Sequence, residues 1–164
     1  MSSDAAVDLP GLNARTVVLI VLAGVVGELV LEFIAWGIAP VLLGQPMQPA
    51  MLVAGLASSL FGFELSMPVA FILHLVAGIV VFPVGYLVFR AAAGFRSPVT
   101  AGLVWGVVLW LVAQAILAPL AGRPFMLGFI PYTWAALVAH VIYTLTVALS
   151  YEQLSRRAGS GASK

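Results

Sequence analysis

Four apolar runs, each long enough to cross a bilayer, alternate along this chain with short stretches of turn-forming and polar residues. They occupy roughly 16–39, 67–89, 98–120 and 131–153, and about 20 apolar residues suffice for one helical crossing. Proline stands at or near many of the ends, at Pro40, Pro68, Pro98, Pro119 and Pro131, where a helix can start or stop without losing a hydrogen bond. Pro83 falls inside the second run and predicts a kink there. Between the first two runs, Ala50 to Phe63 is apolar but too short to cross, which predicts an interfacial or re-entrant helix. The pattern predicts an all-α, integral membrane four-helix bundle over 16–153, flanked by a polar segment 1–15 and a disordered tail 154–164. The first run is too long and too rich in carboxylates for a cleaved signal peptide, so it reads as a retained helix.

Charge adds an orientation. Arg15, Arg90, Arg96, Arg156, Arg157 and Lys164 fall on one side of the predicted bundle, and Arg123 alone falls on the other. The positive-inside bias then places both termini in the cytoplasm (N-in/C-in), with 41–66 and 121–130 facing outward. The chain is 63% hydrophobic and only 8% charged, a composition that requires a lipid bilayer as its solvent. Its basic residues are scattered, which excludes a nucleic-acid footprint. Absence of cysteine excludes disulfides, thiolate metal sites, iron–sulfur ligation and a cysteine nucleophile. No nucleophile–base pair, phosphate-cradling glycine loop or zinc-protease motif is present, so the sequence leans away from an enzyme.

The polar residues inside the runs change the picture most. Glu28 and Glu32 stand one helical turn apart within the first run, and a carboxylate at mid-membrane costs about 2.5–3.5 kcal/mol on insertion scales. At about 1.5 Å per residue, Glu32 lies roughly 10 Å and Glu28 roughly 16 Å from the outer end of their helix. His74 lies roughly 10 Å, His140 roughly 13 Å and Gln114 roughly 9 Å from the outer ends of theirs. All five fall in one slab of the outer half. Helical phase puts His74 on a face with Ala70, Gly78, Val81 and Gly85, and His140 on a stripe with Thr133, Ala136, Tyr143, Thr144 and Tyr151. Small-residue and polar faces belong inside a bundle.

Two carboxylates and two imidazoles are ligands for a divalent metal, and Glu28, Glu32, His74 and His140 are the candidate set, with Gln114, Tyr143 and Thr144 as supporting polar groups. His74 and His140 together also suit axial ligation of one haem. Without either, the same groups share protons, as in a relay or a proton-coupled carrier. The plainer reading is helix–helix glue, worth roughly 0.6 kcal/mol per polar contact. Three functions follow: a non-enzymatic binder of protons or a divalent metal, a structural or assembly subunit of a larger (respiratory) membrane complex, and a small dimeric proton-coupled carrier. A homo-oligomer or a larger membrane complex is the expected partner.

Weaker signals complete the reading. Ala39-Pro40 leading to Gly44-Gln45-Pro46-Met47 matches Ala118-Pro119 leading to Gly122-Arg123-Pro124-Phe125-Met126, the mark of a parallel two-helix repeat. Met47, Met51, Met67 and Met126 all sit at the outer side, where packing accounts for them better than copper(I). Trp36, Trp134 and Tyr132 read as an outer aromatic belt, and Tyr86 and Tyr151 as the inner one.

From His74 onward the chain resembles a widespread group of small uncharacterised bacterial inner-membrane proteins with four helices. The resemblance rests on His74-Leu-Val-Ala-Gly78, Gly102-Leu-Val-Trp-Gly106 through Trp110, Pro119-Leu-Ala-Gly122 and His140-Val-Ile-Tyr143. Thr144 stands where such proteins often carry glycine. The resemblance implies four-helix topology and a bacterial inner membrane. It implies no activity, and it does not extend to Glu28 and Glu32.

Overall fold

A proline inside a helix removes one N–H donor, and its ring collides with the carbonyl four residues back. Three of the long helices meet that conflict in the same way. In the computed structural model, which describes residues 13–160, a wide π-type turn precedes each such proline. These turns are Ile34–Ile38 before Pro40, Ala77–Val81 before Pro83 and Val112–Leu117 before Pro119. The residue just before each proline donates five residues back: Ala39 to the Ile34 carbonyl, Phe82 to that of Ala77, and Ala118 to that of Ala113. In that register the next carbonyl, on Ala35, Gly78 or Gln114, faces a proline with no hydrogen to give. Two of these find donors elsewhere in the fold. Met47 N–H donates to the Ala35 carbonyl at 3.0 Å, and the Tyr143 hydroxyl donates to the Gly78 carbonyl. The disruption predicted at Pro83 is therefore one of three equivalent wide turns.

The helices are α1 (Ala14–Leu43), α2 (Ala50–Phe61), α3 (Met67–Ala92), α4 (Pro98–Leu120) and α5 (Pro131–Ser160), and all but α2 are long and apolar enough to cross a membrane. The protein is an all-α membrane helical bundle. α5 packs along both α1 and α4, α1 also packs on α3, and α2 lies against the start of α3 and the end of α4. Glycine permits the closest crossings. A Cβ on Gly24 would lie 2.2 Å from the Ile79 carbonyl oxygen and 2.8 Å from the Pro83 ring. A Cβ on Gly106 would lie 2.8 Å from Val141 Cα, so the Gly102/Gly106 step packs inside the bundle, on α5.

The core has two parts. Ile20, Ala23, Tyr86, Leu87, Tyr143, Val147 and Ala148 fill the half nearer the chain ends. Ala35, Ala39, Met47, Trp110, Met126 and Ala136 fill the half toward the α1–α2 and α4–α5 connections, here called the far end. Met47 and Met126 hold equivalent places in the two sequence halves, each after a π turn, a proline and a left-handed glycine (Gly44, φ 72°; Gly122, φ 75°). Their burial accounts for them by packing, as the sequence suggested. Tyr86 and Tyr151 are buried in the core and form no inner belt, because small residues on α1 and α5 leave room for their rings. Trp36 and Trp134 are exposed, as a belt requires, whereas Tyr132 is partly covered.

At the ends, the Asn13 side chain accepts from Thr16 N–H at 2.8 Å and starts α1. The Ser97 hydroxyl accepts from Thr100 N–H at 3.2 Å and starts α4. Arg90 ties the α3–α4 connection down, pairing with Glu152 and donating to the carbonyls of Phe95 at 3.3 Å and Arg96 at 3.1 Å. That pair, with helix-forming residues from Glu152 to Ala158, carries α5 on to Ser160. The tail predicted as disordered from 154 is thus helical through Ser160. Residues 1–12 and 161–164 of the predicted flanking segments lie outside the described residues. The turn Phe125–Phe129 carries a run of positive φ at Met126, Leu127, Gly128 and Phe129, held by the Thr133 hydroxyl, which donates to the Met126 carbonyl at 2.8 Å.

Gly24→Val should be among the most disruptive single changes, because the added side chain meets backbone and a proline ring, neither of which can move aside. The expected loss is about 1–3 kcal/mol or more, read as a lowered thermal midpoint in detergent. An exposed change such as Val138→Ala should leave the midpoint close to that of the unaltered protein.

Candidate metal centre

Glu28 and Glu32 project from the same face of α1 through their i, i+4 spacing, and His74 reaches them from α3. His74 Nε2 lies 3.2 Å from Glu28 Oε1 and 3.8 Å from Glu32 Oε1. One donor atom from each residue falls within 4.8 Å of the others. The glycine at position 78 makes this approach feasible: a Cβ there would lie 1.9 Å from Glu28 Oε2. The notch in α3 therefore receives the Glu28 carboxylate, and the Gly78 carbonyl accepts a hydrogen bond from the Tyr143 hydroxyl.

The hydrogen bonding within the cluster is incomplete. Glu32 Oε2 accepts from Trp36 Nε1–H at 2.7 Å. Both Glu28 oxygens, Glu32 Oε1 and His74 Nε2 are buried with no hydrogen-bond partner among the described residues, and Glu28 is only 3% exposed. The imidazole nitrogen sits between the carboxylates without aligning on either. A buried charged set whose hydrogen bonds are left incomplete is costly. Tetrahedral bonds of about 2.0–2.2 Å put neighbouring ligand atoms about 3.3–3.6 Å apart; the two histidine–carboxylate separations, 3.2 and 3.8 Å, lie on either side of that range, and all three atoms fall within 4.8 Å. Nitrogen and carboxylate oxygen suit zinc, manganese or iron(II).

A cavity of about 170 Å³ adjoins the cluster and is lined by Glu28, His74, Gln114, His140 and Tyr143 among aliphatic side chains. Gln48, Arg123, Leu127 and Tyr132 line both this cavity and a wider, open recess at the far end, so the route in runs past them. The π turns of α1, α3 and α4 all contribute wall residues, namely Ala35, Ala77 and Gln114.

Of the predicted site residues, Glu28, Glu32 and His74 come together, and Gln114, His140 and Tyr143 line the adjoining cavity. His140 stands apart from the three-residue cluster, with Nδ1 2.7 Å from the Ala136 carbonyl oxygen of its own helix. Thr144 bonds back to the carbonyls of His140 and Val141 at 2.9 and 3.1 Å and faces Gly106, so it is a packing residue. A haem does not fit. A 150 Å³ cavity holds about one benzene, a porphyrin is several times larger, and His74 Nε2 is engaged between carboxylates. The sequence reading missed the Gly78 notch and the Trp36–Glu32 bond. Their signals were His74 and Gly78 four residues apart, and Glu32 and Trp36 four apart.

The fold and this cluster define a membrane helical bundle with a buried Glu/His group in one half. The chain belongs to a family of unknown function, DUF6789, whose model matches residues 14–160. No curated protein and no solved structure matches it.

Tyr143→Phe tests the coupling of α5 to the notch. Removing the hydroxyl leaves the Gly78 carbonyl without its donor, and a loss of about 1–2 kcal/mol is expected, measured by unfolding in mixed micelles. An unchanged midpoint would show that the bond contributes nothing.

Proposed function

We propose that this is a non-enzymatic inner-membrane protein that holds one divalent transition-metal ion on Glu28, Glu32 and His74, reached from the outer side of the membrane. One observation carries the reading: three donor atoms from two helices converge within 4.8 Å while four of their buried polar atoms have no hydrogen-bond partner. Proton sharing alone is less well supported, since it would align Nε2–H on a carboxylate oxygen. The carrier reading is also less well supported, because beyond Tyr143 the interior is filled by Ile20, Ala23, Tyr86 and Val147. The orientation rests on the positive-inside bias, with the cavity mouth and its single cation, Arg123, on the outer side.

Metal analysis of the purified protein, reconstituted separately with zinc, manganese and iron(II), tests the centre. About one ion per chain is expected, with loss in Glu28→Gln, Glu32→Gln and His74→Ala and retention in His140→Ala. Stoichiometry near zero for every metal would remove the proposal, as would equal loss in the His140 variant. Orientation has its own test, helped by the cysteine-free chain. Single-cysteine variants at the exposed positions Gln45 and Ala93 should label from outside the cell and only after lysis, respectively. The reverse pattern would invert the topology.

A further inference from the structure

Hydrogen bonds already made by its walls leave the cavity beside the cluster with a one-sided character. The His140 Nδ1 sits 2.7 Å from a carbonyl oxygen, which can only accept, so Nδ1 carries the ring proton and Nε2 keeps its lone pair. The Tyr143 hydroxyl donates its hydrogen bond to the Gly78 carbonyl, leaving the lone pairs of its oxygen as acceptors. Gln114, only 6% exposed, lines the same space, and its Oε1 has no hydrogen-bond partner among the described residues. These acceptors, on α4 and α5, border one side of a space that Glu28 and His74 close at the cluster and Arg123 borders at the mouth, with Leu31, Leu52, Leu56 and Leu109 as its aliphatic wall.

Such a space favours an occupant that brings hydrogen-bond donors and no charge. A charged molecule would lose its hydration against aliphatic walls, whereas hydroxyl groups on an apolar body would satisfy the acceptors and bury the body. Size narrows the class further. An aliphatic cavity of about 150 Å³ accommodates one benzene ring, and this one measures about 170 Å³. We propose that the cavity binds a neutral single-ring molecule of the dihydroxybenzene type. One hydroxyl donates to His140 Nε2 and the other to Gln114 Oε1. The ring rests among the leucines, and the molecule arrives through the recess past Gln48 and Tyr132. The proposal goes beyond metal binding and does not depend on it, because neither acceptor belongs to the Glu28–Glu32–His74 cluster.

Anaerobic titration calorimetry in detergent, on metal-stripped and metal-loaded protein, tests this with two probes. Hydroquinone supplies the ring and two donors, and 1,4-dimethoxybenzene keeps the ring without them. Saturable hydroquinone binding is expected in both preparations, at least about tenfold tighter than the dimethoxy compound, the scale of one or more hydrogen bonds. His140→Leu and Gln114→Leu should each narrow that preference, with thermal midpoints measured alongside. The comparison of probes on the unaltered protein needs no variant to fold. Equal binding of the two probes would reduce the cavity to an apolar void, and no saturable binding of either would overturn the proposal outright. Hydroquinone binding confined to metal-loaded protein would place its hydroxyls on the metal and overturn the His140/Gln114 assignment. Failure to load metal would leave this result intact while removing the metal centre.

Discussion

Everything in this bundle is arranged around three carbonyl groups that proline has deprived of their helical donors. In hydrocarbon no water can step in, and an unsatisfied backbone group costs several kcal/mol. The chain must therefore bring a donor from elsewhere or line a cavity with the exposed register. It does both. The Ala35 carbonyl is met by the backbone of Met47, which folds the α1–α2 connection back over the helix end. The Gly78 carbonyl is met by Tyr143, which fixes α5 against α3 across the bundle. Gln114 occupies the corresponding place in α4 and borders the cavity.

The same turns position the chemistry. Gly78 is at once the residue whose carbonyl is released and the notch that receives Glu28, so one wide turn serves both the packing of α5 and the placing of a carboxylate beside His74. Gly24 performs the complementary task one turn earlier on α1, resting against the Ile79 carbonyl and the Pro83 ring. The cluster thus sits one turn along α1 from the close Gly24 crossing on α3. The cavity opens on the far-end side of it, where α2 fills the space between α3 and α4.

The architecture was largely legible from hydrophobic length and proline placement, because a bilayer forces apolar runs into helices. The convergence of Glu28, Glu32 and His74 was legible for a related reason: shared depth and i, i+4 spacing leave few directions for polar groups in an apolar helix. What periodicity missed lies beyond the wide turns. A π turn inserts one residue and rotates everything after it, so a face traced at constant pitch through Pro83 drifts off the true one. Val81, traced onto the inward His74 face across the turn Ala77–Val81, is accordingly exposed. Thr144 is a different case. Its hydroxyl is satisfied within its own helix, which a polar stripe on a helical wheel does not reveal. The extension of α5 to Ser160 is accompanied by the Arg90–Glu152 pair, a long-range contact invisible to local composition.

The dense packing of Ile20, Ala23, Tyr86 and Val147 beneath the polar group has a mechanical corollary. Close-packed interiors transmit strain, so a displacement of α1 beside the cluster is felt at once by α3 and α5, whose side chains share that core.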